Sequence, residues 1–223
     1  MYKVYRSIKI EGNAMENFVI TIARGFGSGG KEIGTKLAEE LGIPCYENQI
    51  LKMASERSGL NEQLFYQTDE KIRGNSIINW IKKISYNTLI SPEDHDFVMD
   101  LNMYHFQSKI IKELATTQSC IIIGKCADDV LKDYSNVISL YVEAPRDACL
   151  ESIVNKMGIG NDEAERLIIK TDRYRSDYYK YYTGGKSWTN LTNYDLVLNS
   201  QRIGRENCVQ LIQSYLGVKK FIS

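Results

Sequence analysis

The sequence predicts an α/β fold in which helices cover both faces of a parallel sheet. Short runs of β-branched and other apolar residues, each ended by glycine, proline or asparagine, predict buried strands. A helix-like stretch follows each run, and strands that alternate with helices are typical of parallel sheets. The turn after the first run is rich in glycine, which indicates a strand, a turn and a helix in close succession.

The individual elements follow from these patterns. The first strand is predicted at 18–23, and the apolar spacing of 32–41 predicts the helix after it, which Gly42 ends. A long amphipathic helix is predicted at 101–116. The other predicted strands are 120–123, 137–142 and 195–198, and the helices after them begin near Ala127, Arg146 and Arg205.

Three segments do not follow this alternation, although one domain is predicted to span residues 1–223. Residues from about 60 to 100 are polar and helix-like, which indicates an inserted helical lobe. Residues 157–188 are dense in Lys, Arg and Tyr, and we expect them to be irregular. The first fourteen residues fit either an edge strand or a flexible extension, and the sequence favours neither.

Composition excludes several classes of protein. The chain has 223 residues, and 28 Lys and Arg balance 28 Asp and Glu, whereas a general nucleic-acid or anionic-membrane binder carries a basic excess. Its five cysteines contain no C-x-x-C pair, so neither a disulfide framework nor a zinc site is indicated, and a reducing cytoplasm is predicted. The start lacks a signal-peptide pattern, and no apolar run approaches the roughly 20 residues of a membrane span.

The strongest chemical signal is the segment GFGSGGK at 25–31, which matches G-x-x-x-x-G-K between a predicted strand and a predicted helix. Glycines let successive backbone N–H groups point inward as an anion-binding nest, and the helix N-terminus adds its positive dipole. A lysine at the end of the segment supplies a full charge for outer phosphates. The residues assigned to cofactor binding are Gly25, Gly27, Ser28, Gly29, Gly30, Lys31 and Glu32.

The residue after the lysine departs from the motif. A Ser or Thr that ligates Mg²⁺ is usual there, but this chain has Glu32. Glu32 either approaches the metal through water or stabilises the helix N-terminus as an acid in the first turn, and the second interpretation is favoured. No protein metal site is predicted, so Mg²⁺ is expected on the nucleotide phosphates.

Three further segments, together with the glycine-rich turn, resemble one family. IARGFGSGGKEIG, CIIIGKCADDVL and DRYRSDYYKYYTGGKSW followed by NYDLVLNS look like parts of the cytidylate kinase-like family. The likeness runs from about residue 17 to the C-terminus. It implies a three-layer P-loop fold of the nucleoside monophosphate kinase type, with a five-stranded parallel sheet, an acceptor-binding lobe at about 60–100 and a lid at about 157–188. Its members transfer the γ-phosphoryl group of ATP to a nucleotide, by family name CMP or dCMP.

The resemblance also implies roles for individual residues. It makes Arg175 a lid arginine and extends the same role to Arg173, which stands four residues before Asp177, at the spacing of a helical ion pair. The alternative is an exposed pair on a solvated helix face. Lys125 stands where the family carries an arginine, but its ammonium lacks the bidentate fork. In the stretch 47–52, Asn48 and Lys52 are candidates for acceptor binding, although neither matches the family pattern. Lys125 and Asp177 are assigned to substrate binding with them.

Two departures keep other functions open. Cys149 and Ser152 stand where the family places two arginines, which favours a nucleotide-binding regulatory protein without phosphotransfer as an alternative. A kinase with a non-nucleotide acceptor is a third hypothesis. The tyrosines of the predicted lid either stack on a base, pack the lid or form a homodimer contact, and packing or a subunit contact is favoured.

Overall fold

The computed structural model describes residues 17–58 and 95–221, and there the chain has the predicted α/β fold. All strand pairings in this part of the chain are parallel, and the order across the sheet is β2-β3-β1-β4-β5. β1 therefore lies at the centre. The five strands are β1 (Val19–Arg24), β2 (Cys45–Tyr46), β3 (Cys120–Ile123), β4 (Val137–Glu143) and β5 (Leu196–Asn199).

Helices follow the strands along the described chain. A short 3₁₀ helix at Leu191–Asn193 precedes β5. The α-helices are α1 (Gly30–Leu41), α2 (Gln49–Ser58), α3 (His95–Thr117), α4 (Ala127–Val130), α5 (Arg146–Met157), α6 (Asn161–Tyr182), α7 (Ser200–Ile203) and α8 (Arg205–Val218).

The sheet separates two apolar cores, which makes the fold three-layered. Side chains alternate between the faces of a strand, so Ile20 and Ile22 of β1 enter one core while Val19 enters the other. The first core lies under α1 and α8, where Leu37 and Ile212 are fully buried. The second core, under α2 and α3, is filled by Ile50, Leu51, Ile110, Ile111 and Leu114.

The strand predictions agree with the structure at β1, β3, β4 and β5. β2 has no sequence signal of its own because only two residues, Cys45 and Tyr46, pair with β3. The expectation of an irregular segment at 157–188 was wrong for most of its length, since α6 occupies 161–182. Ala164 and Ile168 are fully buried against α5, and this packing stabilises a helix that is rich in charged residues. Most of the predicted lobe and the first fourteen residues lie outside the described residues.

Parallel pairing brings the carboxyl ends of β1, β3 and β4 to one edge of the sheet, and ligands bind at that edge in open α/β folds. The segments that leave these strands are 25–31, 124–126 and 144–145. The glycine-rich segment, at the end of the central strand, therefore has neighbours on both sides. Among the described residues, no helix is long and apolar enough to cross a membrane.

Candidate functional site

The phosphate loop, residues 25–31, joins β1 to α1, and hydrogen bonds from within the loop and from the end of β5 hold its backbone. Ser28 is buried, and its Oγ donates a hydrogen bond to the carbonyl of Gly25 (2.8 Å). Ser200 Oγ donates to the carbonyl of Ser28 (2.5 Å), which ties the loop to the end of β5. Gly27 has φ +88°, and a Cβ there would lie 2.7 Å from the carbonyl oxygen of Cys149. Both the conformation and the close approach therefore require glycine.

Lys31 lies at the first turn of α1 and is held by a carboxylate that follows β2. Its Nζ lies 2.6 Å from Oε2 of Glu47, and Nη2 of Arg24 lies 2.7 Å from Oε1 of the same residue. Burial raises the pKa of Glu47, but Arg24 and Lys31 outweigh burial, so the pKa lies below its usual value. Glu47 is therefore ionised at neutral pH, between two cations at the end of the central strand.

Glu32 extends from α1 towards α5, where its Oε1 pairs with Lys156. Burial raises the pKa of Glu32. The hydrogen bond and the charge of Lys156, a backbone hydrogen bond and the charge of Arg205 together outweigh burial, so the pKa lies below its usual value. This contact supports neither of the two interpretations of Glu32 by itself. Within 17–58 and 95–221, no three His, Cys, Asp or Glu side chains converge as a metal site. The nearby carboxylates are hard oxygen donors of the kind that Mg²⁺ accepts beside phosphates.

On its other side, the phosphate loop contacts α6. The backbone N–H of Phe26 donates to Oδ1 of Asp172 (2.8 Å), and Nη1 of Arg175 donates to the same oxygen (3.2 Å). Nη1 of Arg175 also donates to the carbonyl of Arg24 (2.9 Å), and its Cζ lies 5.5 Å from the centroid of the Phe26 ring. Arg175, for which the family resemblance implies a lid role, thus lies beside the phosphate loop, and that role remains a prediction.

A cavity of about 610 Å³ lies above the loop, between these contacts. Its wall includes backbone of the loop and side chains from α5, α6 and the turn after β3. Basic side chains exceed acidic ones there, which suits an anionic ligand. The six basic residues of the wall are Arg24, Lys31, Lys125, Lys156, Lys170 and Arg175, and the three acidic ones are Glu32, Glu47 and Asp128.

Comparison with known proteins identifies the relatives of this site. A model described as "Cytidylate kinase-like family" matches residues 19–202, well over half of the chain. The chain belongs to this family. It is 25% identical to a cytidylate kinase of Saccharolobus islandicus (strain Y.G.57.14 / Yellowstone #1) over 202 residues, which cover 90% of this chain and 91% of the relative. A cytidylate kinase of strain L.S.2.15 / Lassen #1 is 26% identical over 200 residues, with 89% and 90% covered.

Solved structures share the fold. An uncharacterized protein from Eubacterium ventriosum superposes with a TM-score of 0.65 at 22% identity, covering 90% of this chain and 99% of its own. A shikimate kinase from Bacteroides thetaiotaomicron does so with a TM-score of 0.50 at 16% identity, covering 90% and 98%. The P-loop kinase fold is therefore shown. Membership of the cytidylate kinase-like family supports a nucleotide or small-molecule kinase, and such kinases usually use Mg²⁺.

The other residues singled out from the sequence fall into two groups. Asn48 and Lys125 line the cavity. Lys52 is exposed and does not appear in the cavity wall. Arg173 and Asp177 form the expected helical pair (3.9 Å), but their side chains are 65% and 59% exposed and also lie outside the wall. The roles of all five residues remain predictions, and the position in the cavity wall favours those of Asn48 and Lys125.

The turn after β3 carries unusual backbone strain beside the cavity. Gly124, Lys125 and Cys126 all have φ between +53° and +74°, a region that non-glycine residues rarely adopt. Such strain clusters at ligand sites. Next to the turn, buried Asp128 accepts a hydrogen bond from Tyr179 Oη (2.6 Å), and burial raises its pKa to about 6.

The tyrosines of α6 mainly pack against the body of the protein. Tyr182 stacks on Tyr104 of α3 with centroids 4.0 Å apart, and Tyr179 is buried near Trp188. Tyr174, Tyr178 and Tyr179 also line the cavity. Packing, one of the favoured interpretations, is present in the structure, and the homodimer remains a prediction.

The two positions where the family carries arginines have different surroundings. Cys149 is buried, and burial raises its thiol pKa to about 11. Ser152 lines the cavity, and its Oγ accepts a hydrogen bond from Nη2 of Arg205 (3.1 Å), whose side chain lies against Gly29. A guanidinium from α8 is therefore present beside Ser152. Sequence reasoning missed Arg205, Glu47, Asp172 and Lys156, because each contacts the loop or the first turn of α1 from another segment of the chain.

Proposed function

We propose that this chain transfers the γ-phosphoryl group of ATP to a nucleoside monophosphate, with CMP or dCMP as the first acceptors to test. The observation that carries the proposal is the phosphate loop with Lys31 and Arg175, which both line one cavity whose basic side chains outnumber its acidic ones. Phosphoryl transfer needs mainly positioning and neutralisation of charge spread over the phosphate oxygens. Family membership supports the same chemistry.

Each part of the site has a role in this proposal. Backbone N–H groups of the loop and Lys31 hold the β- and γ-phosphates, and Mg²⁺ binds to the nucleotide phosphates. Arg175 neutralises the transferred group from the side of α6. Asn48 and Lys125, on the β2–β3 side, face the acceptor, whereas Ser152, Lys156 and Arg205 lie on the β4–β5 side and contact the donor nucleotide.

A coupled assay of ADP release with CMP, dCMP, UMP and AMP tests the proposal. Replacing Lys31 by Met should lower transfer by roughly 100-fold or more, because a transition-state charge loses its partner. Lys36→Met is the matched control, since Lys36 lies on the same helix but pairs with Glu206 outside the cavity. A wild-type chain that binds ATP but transfers to no acceptor would refute the proposal and favour the nucleotide-binding regulatory protein.

One observation favours a second candidate, a kinase whose acceptor is a non-nucleotide hydroxyl. A hydroxyl must lose its proton during transfer, whereas a nucleotide phosphate is already ionised. Glu47 is an ionised carboxylate 2.6 Å from Lys31, in a position to accept that proton. Glu47→Gln removes the ionic partner of Lys31 for either acceptor, but it should lower transfer to a hydroxyl by a much larger factor than transfer to CMP, because only the hydroxyl also needs a base. Mass spectrometry of products from an acceptor screen distinguishes the two candidates.

A further inference from the structure

One carboxylate joins α6 to the phosphate loop. Oδ1 of Asp172 accepts from the backbone N–H of Phe26 (2.8 Å) and from Nη1 of Arg175 (3.2 Å). The same Nη1 donates to the carbonyl of Arg24 at the end of β1 (2.9 Å). Asp172 thus contacts the second residue of the loop and the guanidinium that faces the transferred phosphate in the proposed reaction. We propose that Asp172 is a positioning residue that aligns Arg175 with the phosphate loop.

Asp172 and Arg175 are both largely shielded from solvent, so the charge of the carboxylate acts strongly on the guanidinium. The side chains of Asp172 and Arg175 are only 27% and 18% exposed, so solvent screens their interaction weakly. Burial raises the pKa of Asp172 above its usual value, and Arg175 and the Phe26 N–H limit that rise by favouring the ionised form. A half-buried carboxylate without such donors is costly, and hydrogen bonds to an ionised acceptor are among the stronger ones. The Asp172 carboxylate, the Phe26 N–H and the Arg175 guanidinium therefore restrain one another's positions.

Phe26 connects the phosphate loop to α6 through both its ring and its backbone N–H. Its ring lies beneath the Arg175 guanidinium and packs against the buried cluster between α5 and α6 that contains Ile153 and Ile168. Its backbone N–H belongs to the phosphate loop. A movement of α6 would therefore displace both the loop and Arg175 through Phe26. Because Asp172 bonds to the Phe26 N–H and to Arg175, it keeps the loop and the guanidinium in a fixed relative position.

A merely structural role for Asp172 is the competing explanation. α6 has other anchors, since Ala164 and Ile168 are fully buried and Tyr179 Oη bonds to Asp128 at the far end of the helix. Losing Asp172 therefore leaves the helix docked. What changes is the orientation of Arg175 and the support of the loop, both of which are local to the site.

The inference rests on the proposed function, so its test combines transfer with ATP binding. Asp172→Asn keeps an oxygen acceptor of nearly the same shape and removes the charge. Asp162→Asn, an exposed position on the same helix, is the matched control. A misplaced charge of this kind should lower kcat by roughly 10- to 100-fold. ATP affinity should fall by a smaller factor, the KM of the acceptor should change little, and the thermal midpoint should stay near that of Asp162→Asn.

A double-variant cycle with Arg175→Met separates positioning from structure. If Asp172 acts through Arg175, the double variant should lose no more activity and ATP affinity than Arg175→Met alone. Additive losses, or an Asp172→Asn variant within twofold of wild type in both kcat and ATP affinity, would overturn the proposal. A large fall in thermal midpoint would assign Asp172 to the fold instead.

The two proposals fail in different ways. A wild-type chain that binds ATP without transfer refutes the kinase, while the cycle in ATP affinity, measured by calorimetry, still decides the role of Asp172. A wild-type chain that binds no ATP overturns both. Hydrogen exchange of the peptide that contains Phe26 gives a further readout, and it should quicken in Asp172→Asn but not in Asp162→Asn.

Discussion

Replacing Gly27 by alanine should damage the phosphate loop in two separable ways. Gly27 has φ +88°, so alanine would occupy the left-handed region. The new Cβ would also lie 2.7 Å from the carbonyl oxygen of Cys149 and 3.0 Å from its Cα. Those atoms belong to the backbone at the start of α5, which cannot rotate away as the end of a long side chain can. The loop must therefore move.

The magnitudes follow from this geometry. A left-handed alanine costs about 1–2 kcal/mol. Overpacking against fixed atoms adds about 1–3 kcal/mol, unless the loop shifts and gives up its nest of N–H groups instead. Gly42, at the end of α1, is a matched control because its φ is +66° and, in the described part of the chain, no atom beyond its own neighbours lies within 4 Å of the Cβ that alanine would add. Gly42→Ala should show the first cost alone.

Chemical denaturation and ATP titration of both variants provide the measurement. Gly27→Ala should lose more free energy of unfolding than Gly42→Ala, or lose ATP affinity while Gly42→Ala retains it. Equal stability losses together with unchanged ATP affinity in both variants would refute the reasoning about close approach to Cys149.

Two further predictions concern residues beside the loop. Arg205→Met should weaken ATP binding roughly tenfold, since a hydrogen bond to a charged group contributes about 1.5 kcal/mol; Arg202→Met, on α7, is the calorimetric control, and equal affinities in the two variants would contradict the donor-side role. Asp128 has a pKa of about 6 in the folded protein, against an ordinary 3.8. Ionisation of Asp128 therefore destabilises the fold: this destabilisation is absent below pH 3.8, grows between pH 3.8 and about pH 6, and is complete above that. The unfolding free energy of Asp128→Asn relative to wild type should therefore rise by about 3 kcal/mol from about pH 3 to about pH 7, and a difference that is constant with pH, measured by urea denaturation, would show that the carboxyl titrates normally.

The parts of the fold that sequence could predict are those with local signals. β1, β3, β4 and β5 are runs of β-branched and other apolar residues, and the glycine-rich turn has a motif of fixed spacing. β2 lacks such a run because two residues suffice to pair with β3. α6 carries many charged residues and buries only three, Ala164 and Ile168 against α5 and Tyr179 near Trp188, so tertiary packing that the sequence does not display stabilises this helix.

The residues of the candidate site also fall into those with a local sequence signal and those that only the fold brings together. The phosphate loop could be found because its residues are contiguous. Asp172 is separated from Phe26 by 146 positions, and only the fold brings them together. Glu47 and Arg205 likewise carry no motif, since an isolated acid after a short strand or an arginine at a helix start has many other uses. Their importance comes from which atoms they contact.

The strand order has a consequence for how the chain folds during synthesis. Val19 of β1 pairs with Cys120 on one side and with Val137 on the other, so the central strand has no neighbour that is close in sequence. Contacts of such large sequence separation form late and slow folding. β1 leaves the ribosome first among the described strands but cannot be paired on both edges until β4 has emerged. Until then its row of apolar residues needs protection from aggregation, and the loop at its end acquires its shape only when synthesis is well past the middle of the chain.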